Sequence, residues 1–179
     1  MGIFAIATAA ALGIFVTSNQ VQKRTANLQR ELADARYALE VMAREVRMGA
    51  IDYGYDGYAS PLPFLESVLA IRDADDQPIR FGRFDVGSGR YAIKVCDQEI
   101  CNVEDWLDIT PEDLSIARLD FYISPAEDPF TWNGATVNYP FDSQPLVTIV
   151  MQSVGTYLEG EINRVVNLQT TVASRQYVR

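Results

Sequence analysis

Hydrophobic and polar positions divide the chain into two unlike parts. From Ala5 to Met48 there is no proline and a single glycine, Gly13. The first sixteen residues carry no charge, and Thr8 is their one polar side chain. Beyond Val16 the pattern turns amphipathic. Val21, Leu28, Leu32, Ala35, Leu39, Met42 and Val46 recur at helical steps, while Glu31, Asp34, Arg36, Arg44 and Arg47 fall off that stripe. Good helix formers dominate, which predicts one continuous helix of about 45 residues and about 67 Å. Gly49, following the basic turn of Arg44 and Arg47, is placed to cap its C-terminus. The uncharged run Gly2–Val16 is 15 residues long, short of the roughly 20 that span a bilayer. It also lacks the basic flank and cleavage site of a signal peptide.

After Gly49 the period changes from helical to alternating. IDYGYDGYASPLPF, rich in glycine, proline and tyrosine, reads as a loop. Strands are predicted over 78–84, 90–95, 117–124, 145–152 and 164–172. In 117–124, Leu119, Phe121 and Ile123 alternate with Asp120, Tyr122 and Ser124; 145–152 is apolar on both faces, as a central strand is. DVGSGR supplies the glycines of a hairpin turn. ITPEDL offers Thr110 as an N-cap, with Pro111 at the first position of a short helical turn. The stretch 124–145 holds four prolines and one glycine and reads as a decorated loop. The expected class is α+β: a long N-terminal helix packed on an antiparallel sheet. Its divisions are an apolar front (1–20), an amphipathic continuation (21–50) and a sheet head (51–179).

Charge sharpens the division. Residues 1–50 carry six basic side chains and four acidic ones, whereas 51–179 carry 9 basic and 20 acidic, a net charge of -11. So acidic a head is a poor phosphate-backbone binder, and no nucleic-acid partner is expected. With no histidine, the commonest general base and metal ligand is missing. Phosphate-cradling glycine loops and nucleophile elbows are missing too. The acidic runs Asp73, Asp75, Asp76 and Glu104, Asp105, Asp108 read as solvated turns: the first lacks the glycine and bidentate glutamate of a calcium loop. Trp106 and Trp132 read as packing residues with one polar edge satisfied, rather than as a sugar platform. Cys96 and Cys101 are spaced for a small disulfide-closed loop in an oxidising compartment, the alternative being two free thiols. No catalytic constellation, cofactor site or metal site emerges.

The order of these features carries a resemblance. An apolar helix runs unbroken into an amphipathic one, ALEVMAREVRMG closes it, and LVTIVMQ leads to LQTTVASRQYVR. This resembles the type IV pilin-like family, particularly the minor pilins and the minor pseudopilins of type II secretion. In that group a helix often ends in A-L-E-x-M-x-R-E-[IV]-R, here Ala38 to Arg47, and a C-terminal strand often reads L-Q-T-x-V-x-x-R, here Leu168 to Arg175. DITPEDLSIARLDFYI (108–123) is similar to the family's mid-domain phrase. The likeness covers nearly the whole chain.

The resemblance implies a protruding helix on an antiparallel sheet and a structural role without enzymatic activity. Subunits of this kind wait in the bacterial inner membrane, in contact with lipid, as single-pass proteins with a periplasmic head. Prepilin peptidase and an assembly platform handle them, and their helices pack with other pilins or pseudopilins into a pilus, a secretion pseudopilus or a DNA-uptake fibre. A large, loop-rich head favours a minor subunit over a major one. Ile3, Phe4, Ile6, Leu12, Ile14, Phe15 and Val16 would then meet lipid or filament core. Ala5, Ala7, Ala9, Ala10, Ala11 and Gly13 would allow close helix approach. Leu28, Leu32, Ala35, Leu39, Met42 and Val46 would hold the head. The family's basic leader and early glutamate do not appear, so Met1 is expected to be an internal methionine of a longer span; Lys23, Arg24 and Arg30 would otherwise hold the head in the cytoplasm. The competing expectation is a membrane-anchored binding module whose Tyr53, Tyr55, Tyr58, Trp132 and Tyr139 line a hollow.

Overall fold

A computed structural model describes residues 2–58, 65–130, 143–155 and 165–175; within the first helix the side chains of 3, 5–7 and 9 lie outside that description. The helix forms without a break as α1, Gly2–Met48, 47 residues and about 70 Å long. Among the described residues eight strands follow: β1 (Ala50–Ile51), β2 (Val68–Arg72), β3 (Pro78–Gly87), β4 (Arg90–Cys96), β5 (Leu107–Asp108), β6 (Leu114–Ser124), β7 (Leu146–Gly155) and β8 (Val165–Ala173). The class is α+β, with one long helix packed on antiparallel strands. Those strands form two sheets where one was expected, ordered β1-β2-β3-β4-β5 and β6-β7-β8.

Hydroxyl side chains make the break between the sheets. Along the edge of β4, the Ile93 N–H donates to Thr110 Oγ1 at 3.1 Å and the Tyr91 N–H to Ser115 Oγ at 3.2 Å. Ile109 N–H donates to Ile93 O at 2.9 Å. Side chains from 110–115 thus satisfy groups that a continuing ladder would have used. This corrects the expected helical turn at ITPEDL. Thr110 is buried as an acceptor for β4, Pro111–Leu114 closes a simple turn (Leu114 N to Pro111 O, 3.2 Å), and the short 3₁₀ turn lies earlier, at Val103–Asp105.

Three further features escaped the alternation. In β2 the apolar run before Arg72 is only four residues long, VLAI, and the strand is paired on both sides, so no polar alternate betrays it. The two-residue strands β1 and β5 fall below any periodic signal. In β6 a bulge between Ile116 and Arg118 resets the parity, so Leu114 and Ile116 face the same core as Leu119, Phe121 and Ile123. The hairpin turn stands where DVGSGR puts it, with Gly87 at φ 93°, Ser88 at 56° and Gly89 at 72°.

Helix α1 docks through its second half, chiefly on β8 and β7. Its fully buried positions are Ala35, Ala38, Met42, Ala43 and Val46, and Glu31 is buried beside Gly155. The expected stripe is therefore rotated. Ala35, Met42 and Val46 lie on the true face, Leu28, Leu32 and Leu39 are only half-buried on its flank, Val21 is exposed, and Glu31 sits inside the contact. Alanine explains the rotation: with little side chain to hold it off, the helix backbone settles against the strands on its alanine side. Phe81, Phe121, Leu69, Ile71, Ile93 and Ile149 complete the core between helix and sheets.

The end of α1 is tied to the end of the described chain. The Ser174 hydroxyl donates to Gly49 O at 2.6 Å, and Arg175 N–H to Arg47 O at 3.3 Å. Both acceptors are carbonyls of the kind a helix leaves unpaired at its C-terminus. Gly49 is required for closeness, since its φ is not positive. A Cβ there would lie 2.6 Å from both Arg72 O and Ile71 Cγ2. Gly49→Ala should cost about 1–3 kcal/mol by overpacking. A thermal melt checks this, and an unchanged melting temperature would mean that β2 yields freely.

Candidate interaction surface

Among the described residues the front of α1 is exposed and apolar. Phe4 is 81% exposed, Ile14 72% and Phe15 69%, with Leu12, Val16 and Val21 each more than half exposed; the side chains of Ile3 and Ile6 lie outside the described residues. Its threonines turn their hydroxyls inward. Thr8 donates to Phe4 O (2.9 Å), Thr17 to Gly13 O (2.9 Å) and Thr25 to Val21 O (3.0 Å). Each hydroxyl proton is used by the helix itself, leaving a surface of methyls and aromatic rings. No carboxylate precedes Glu31, whereas Lys23, Arg24 and Arg30 follow the apolar run. No helix among the described residues is long and apolar enough to cross a membrane.

The sites that composition offered as alternatives are spent on structure. Asp73 accepts the Asp75 and Gln77 N–H groups at 2.9 and 2.8 Å, and Asp76 takes φ 61°: these residues build the β2–β3 turn. Asp105 accepts the backbone and side-chain N–H of Asn102 at 2.8 and 2.9 Å, and Asp108 pairs with Lys94 at 3.1 Å. Trp106 packs on Phe84, ring centroids 4.3 Å apart. A hollow of about 570 Å³ near Asp52, Asp73, Asp76 and Asp128 is bridged by Arg72, which reaches Asp52 at 3.2 Å, Asp76 at 3.7 Å and Glu99 at 3.6 Å. A second, about 390 Å³, opens beside α1 at Tyr37, Val41 and Glu45 over Phe81, Val95 and Leu107. Among the described residues no group of His, Cys, Asp and Glu is arranged to hold a metal.

The tyrosines anchor the loop after α1. Tyr53 donates to Pro125 O at 3.1 Å, and Tyr58 accepts the Ala70 N–H at 2.6 Å. Burial raises the pKa of both phenols, and the charges of Asp128 beside Tyr53 and Glu66 beside Tyr58 push the same way. Tyr55 meets Tyr58 edge-on at 5.1 Å and carries the Arg80 guanidinium 4.9 Å above its ring. Of these three rings, Tyr53 lines the hollow of about 570 Å³; Trp132 and Tyr139 lie outside the described residues.

Cys96 and Cys101 form a disulfide, their Cα atoms 6.1 Å apart. Arg80 spans the loop it closes, donating to Glu99 O at 3.0 Å and Gln98 O at 3.4 Å. None of this arginine's role was legible, because 18 residues separate it from Gln98 in sequence. Loop closure this short is worth about 2 kcal/mol. Cys101→Ser should lower stability by about that much, with faster amide exchange confined to the turn that follows β4. Thiol labelling of the native chain should require reductant, and equal labelling without it would exclude the bond.

One carboxyl is out of place in water terms. Glu66, beside the Phe121 bridge, has Oε1 buried with no hydrogen-bond partner among the described residues. Burial raises its pKa. A raised acid stabilises the fold fully below its unfolded pKa, about 4.3, and that stability is lost as pH rises through the folded value. Glu66→Gln should therefore melt higher than the native chain at pH 7, with the difference closing at acid pH. A difference that widens below pH 4 would show that the carboxylate is held as an anion.

Comparison with protein-family models, with curated proteins and with solved structures gives no match in any of the three.

Proposed function

We propose that the chain is a structural subunit of a type IV pilus or a type II secretion pseudopilus. It waits in the bacterial inner membrane with a periplasmic head and enters a filament through its N-terminal helix, without enzymatic activity of its own. The observation that carries this reading is the continuity of α1. One unbroken helix is buried on the head over its second half and exposed over its first, which is apolar as far as Val16. A helix that served its own domain alone would end where the head ends. Threonines bonded back to their own helix suit lipid or neighbouring helices better than water. The acidic head and the disulfide fit an oxidising, extracytoplasmic setting.

A further support comes from the two sequence phrases that carry the resemblance. ALEVMAREVRMG and LQTTVASR meet at the hydrogen bonds from Ser174 and Arg175 to the end of α1. The competing reading, a tethered binding module, loses force because Tyr53, Tyr55 and Tyr58 are engaged in packing.

Labelled chain expressed with a pilus or pseudopilus system should appear on purified filaments by immunogold imaging. Leu12→Asp, on the exposed front, should abolish incorporation while leaving the melting temperature of the head unchanged. Label that stays in the membrane fraction while filaments form, or normal incorporation of the Asp variant, would sink the proposal.

A further inference from the structure

The groove of about 390 Å³ beside α1 has a direction and a charge. One wall is the helix itself, where Tyr37, Val41 and Glu45 stand on successive turns. The groove therefore runs along α1, for about 12 Å. Asp97, Leu107 and Asp108 form the opposite wall, above Phe81. Its lips are apolar and open, Tyr37 being 64% exposed and Leu107 62%. Three carboxylates line the groove and no cation does. Glu45 and Asp108 have partners outside it, Arg44 at 2.9 Å and Lys94 at 3.1 Å. Among the described residues Asp97 has no cationic partner; its carboxylate accepts a bond from the neutral Gln98 amide at 3.3 Å. Such a groove fits a helix ridge that is partly apolar and partly basic.

The same chain carries a ridge of that kind. Residues 17–30 hold Lys23, Arg24 and Arg30 and no acidic side chain, and 17–24 are exposed throughout. At three- and four-residue steps, Thr17, Val21 and Arg24 continue the face that Ala35, Ala38 and Met42 turn to their own head. We propose that the groove receives residues 17–24 of a second copy, lying parallel to α1 with Lys23 and Arg24 toward Glu45, Asp97 and Asp108. Charge and face select this occupant: the ridge is cationic where the groove is anionic, and it extends a helix face already fitted to this sheet. Two different patches of one chain make a heterologous contact, which repeats without closing. The parallel direction rests on the filament role proposed above, in which every helix front points the same way. Setting Arg24 level with Glu45 shifts the second copy by about 21 residues, roughly 31 Å. Its docked half, from Glu31 onward, then begins beyond Met48 of the first, and the docked halves succeed one another along the axis.

The test uses full-length chain in detergent micelles, with the native disulfide left oxidised and a short bismaleimide as linker. Chains carrying Lys23→Cys should link to chains carrying Asp97→Cys several-fold more than to chains carrying Asp85→Cys, near the far end of β3. Adding Leu107→Lys to the groove partner should lower that yield, because it sets a cation where a cation is to bind. In filaments, Lys23→Glu or Asp97→Lys should each reduce incorporation by about fivefold, as loss of an exposed ion pair does. The two together should restore it, with melting curves unchanged throughout. Equal linking at Asp85 and Asp97, linking indifferent to Leu107→Lys, or a double variant no better than the single ones would overturn the proposal. Incorporation of every variant at the native level, without linking at Asp97, retires this contact and leaves the proposed function standing. Selective linking in a chain that never enters filaments keeps the contact and removes the filament.

Discussion

Everything in the head depends on how closely the second half of α1 can lie against β7 and β8. Ala35, Ala38 and Ala43 set that distance, and Gly49 lets the chain leave the helix under β2 with no room for a methyl group. The contact is fixed at its end, where Ser174 and Arg175 take up carbonyls of Gly49 and Arg47. The first and last described elements are thereby joined across 125 residues of sequence. A buried hydroxyl bonded to a helix-end carbonyl resists separation strongly, since pulling it apart strands a polar group on each side.

How much of this the chain announces depends on the range of the interaction. Local alternation is enough to locate β3, β4, β6 and β8, because each has a wet face and a dry one, and β7 is located by the length of its apolar run. It fails for VLAI, which has no polar alternate, and for the bulge in β6, where the parity of Leu119 and Phe121 would have turned Leu114 and Ile116 outward. Of the expected helix stripe, Ala35, Met42 and Val46 lie in the contact and Leu28, Leu32 and Leu39 on its flank, for a related reason. Counting large apolar side chains favours Leu28, Leu32 and Leu39, but the packing rewards close approach and so favours alanine. Burial of Glu31 has no local signature at all, since it depends on Gly155, 124 positions away.

Chemistry followed the same division. The acidic and aromatic residues most suggestive of a site are consumed by turns and loop anchors: Asp73 and Asp105 by backbone amides, Tyr53 and Tyr58 by backbone partners, Arg80 by the disulfide loop. Those partners are distant or lie on the main chain, so residue type alone cannot separate a hydrogen-bonded turn from a cluster awaiting a ligand. The spacing of Cys96 and Cys101 is the exception: its partner lies within the same short segment.

Two surfaces of the described fold remain unsatisfied, and they ask for different things. The front of α1 asks for any apolar surroundings, because methyls and rings are indifferent to direction; lipid and a packed helix serve alike. The edge of β8 asks for direction, because N–H and C=O groups accept only a strand in register. A subunit that exchanges one environment for another is served by the first kind of surface, which tolerates both. The second kind accepts only an extended strand, and it runs uncharged over nine residues where the neighbouring sheet ends in strands of two.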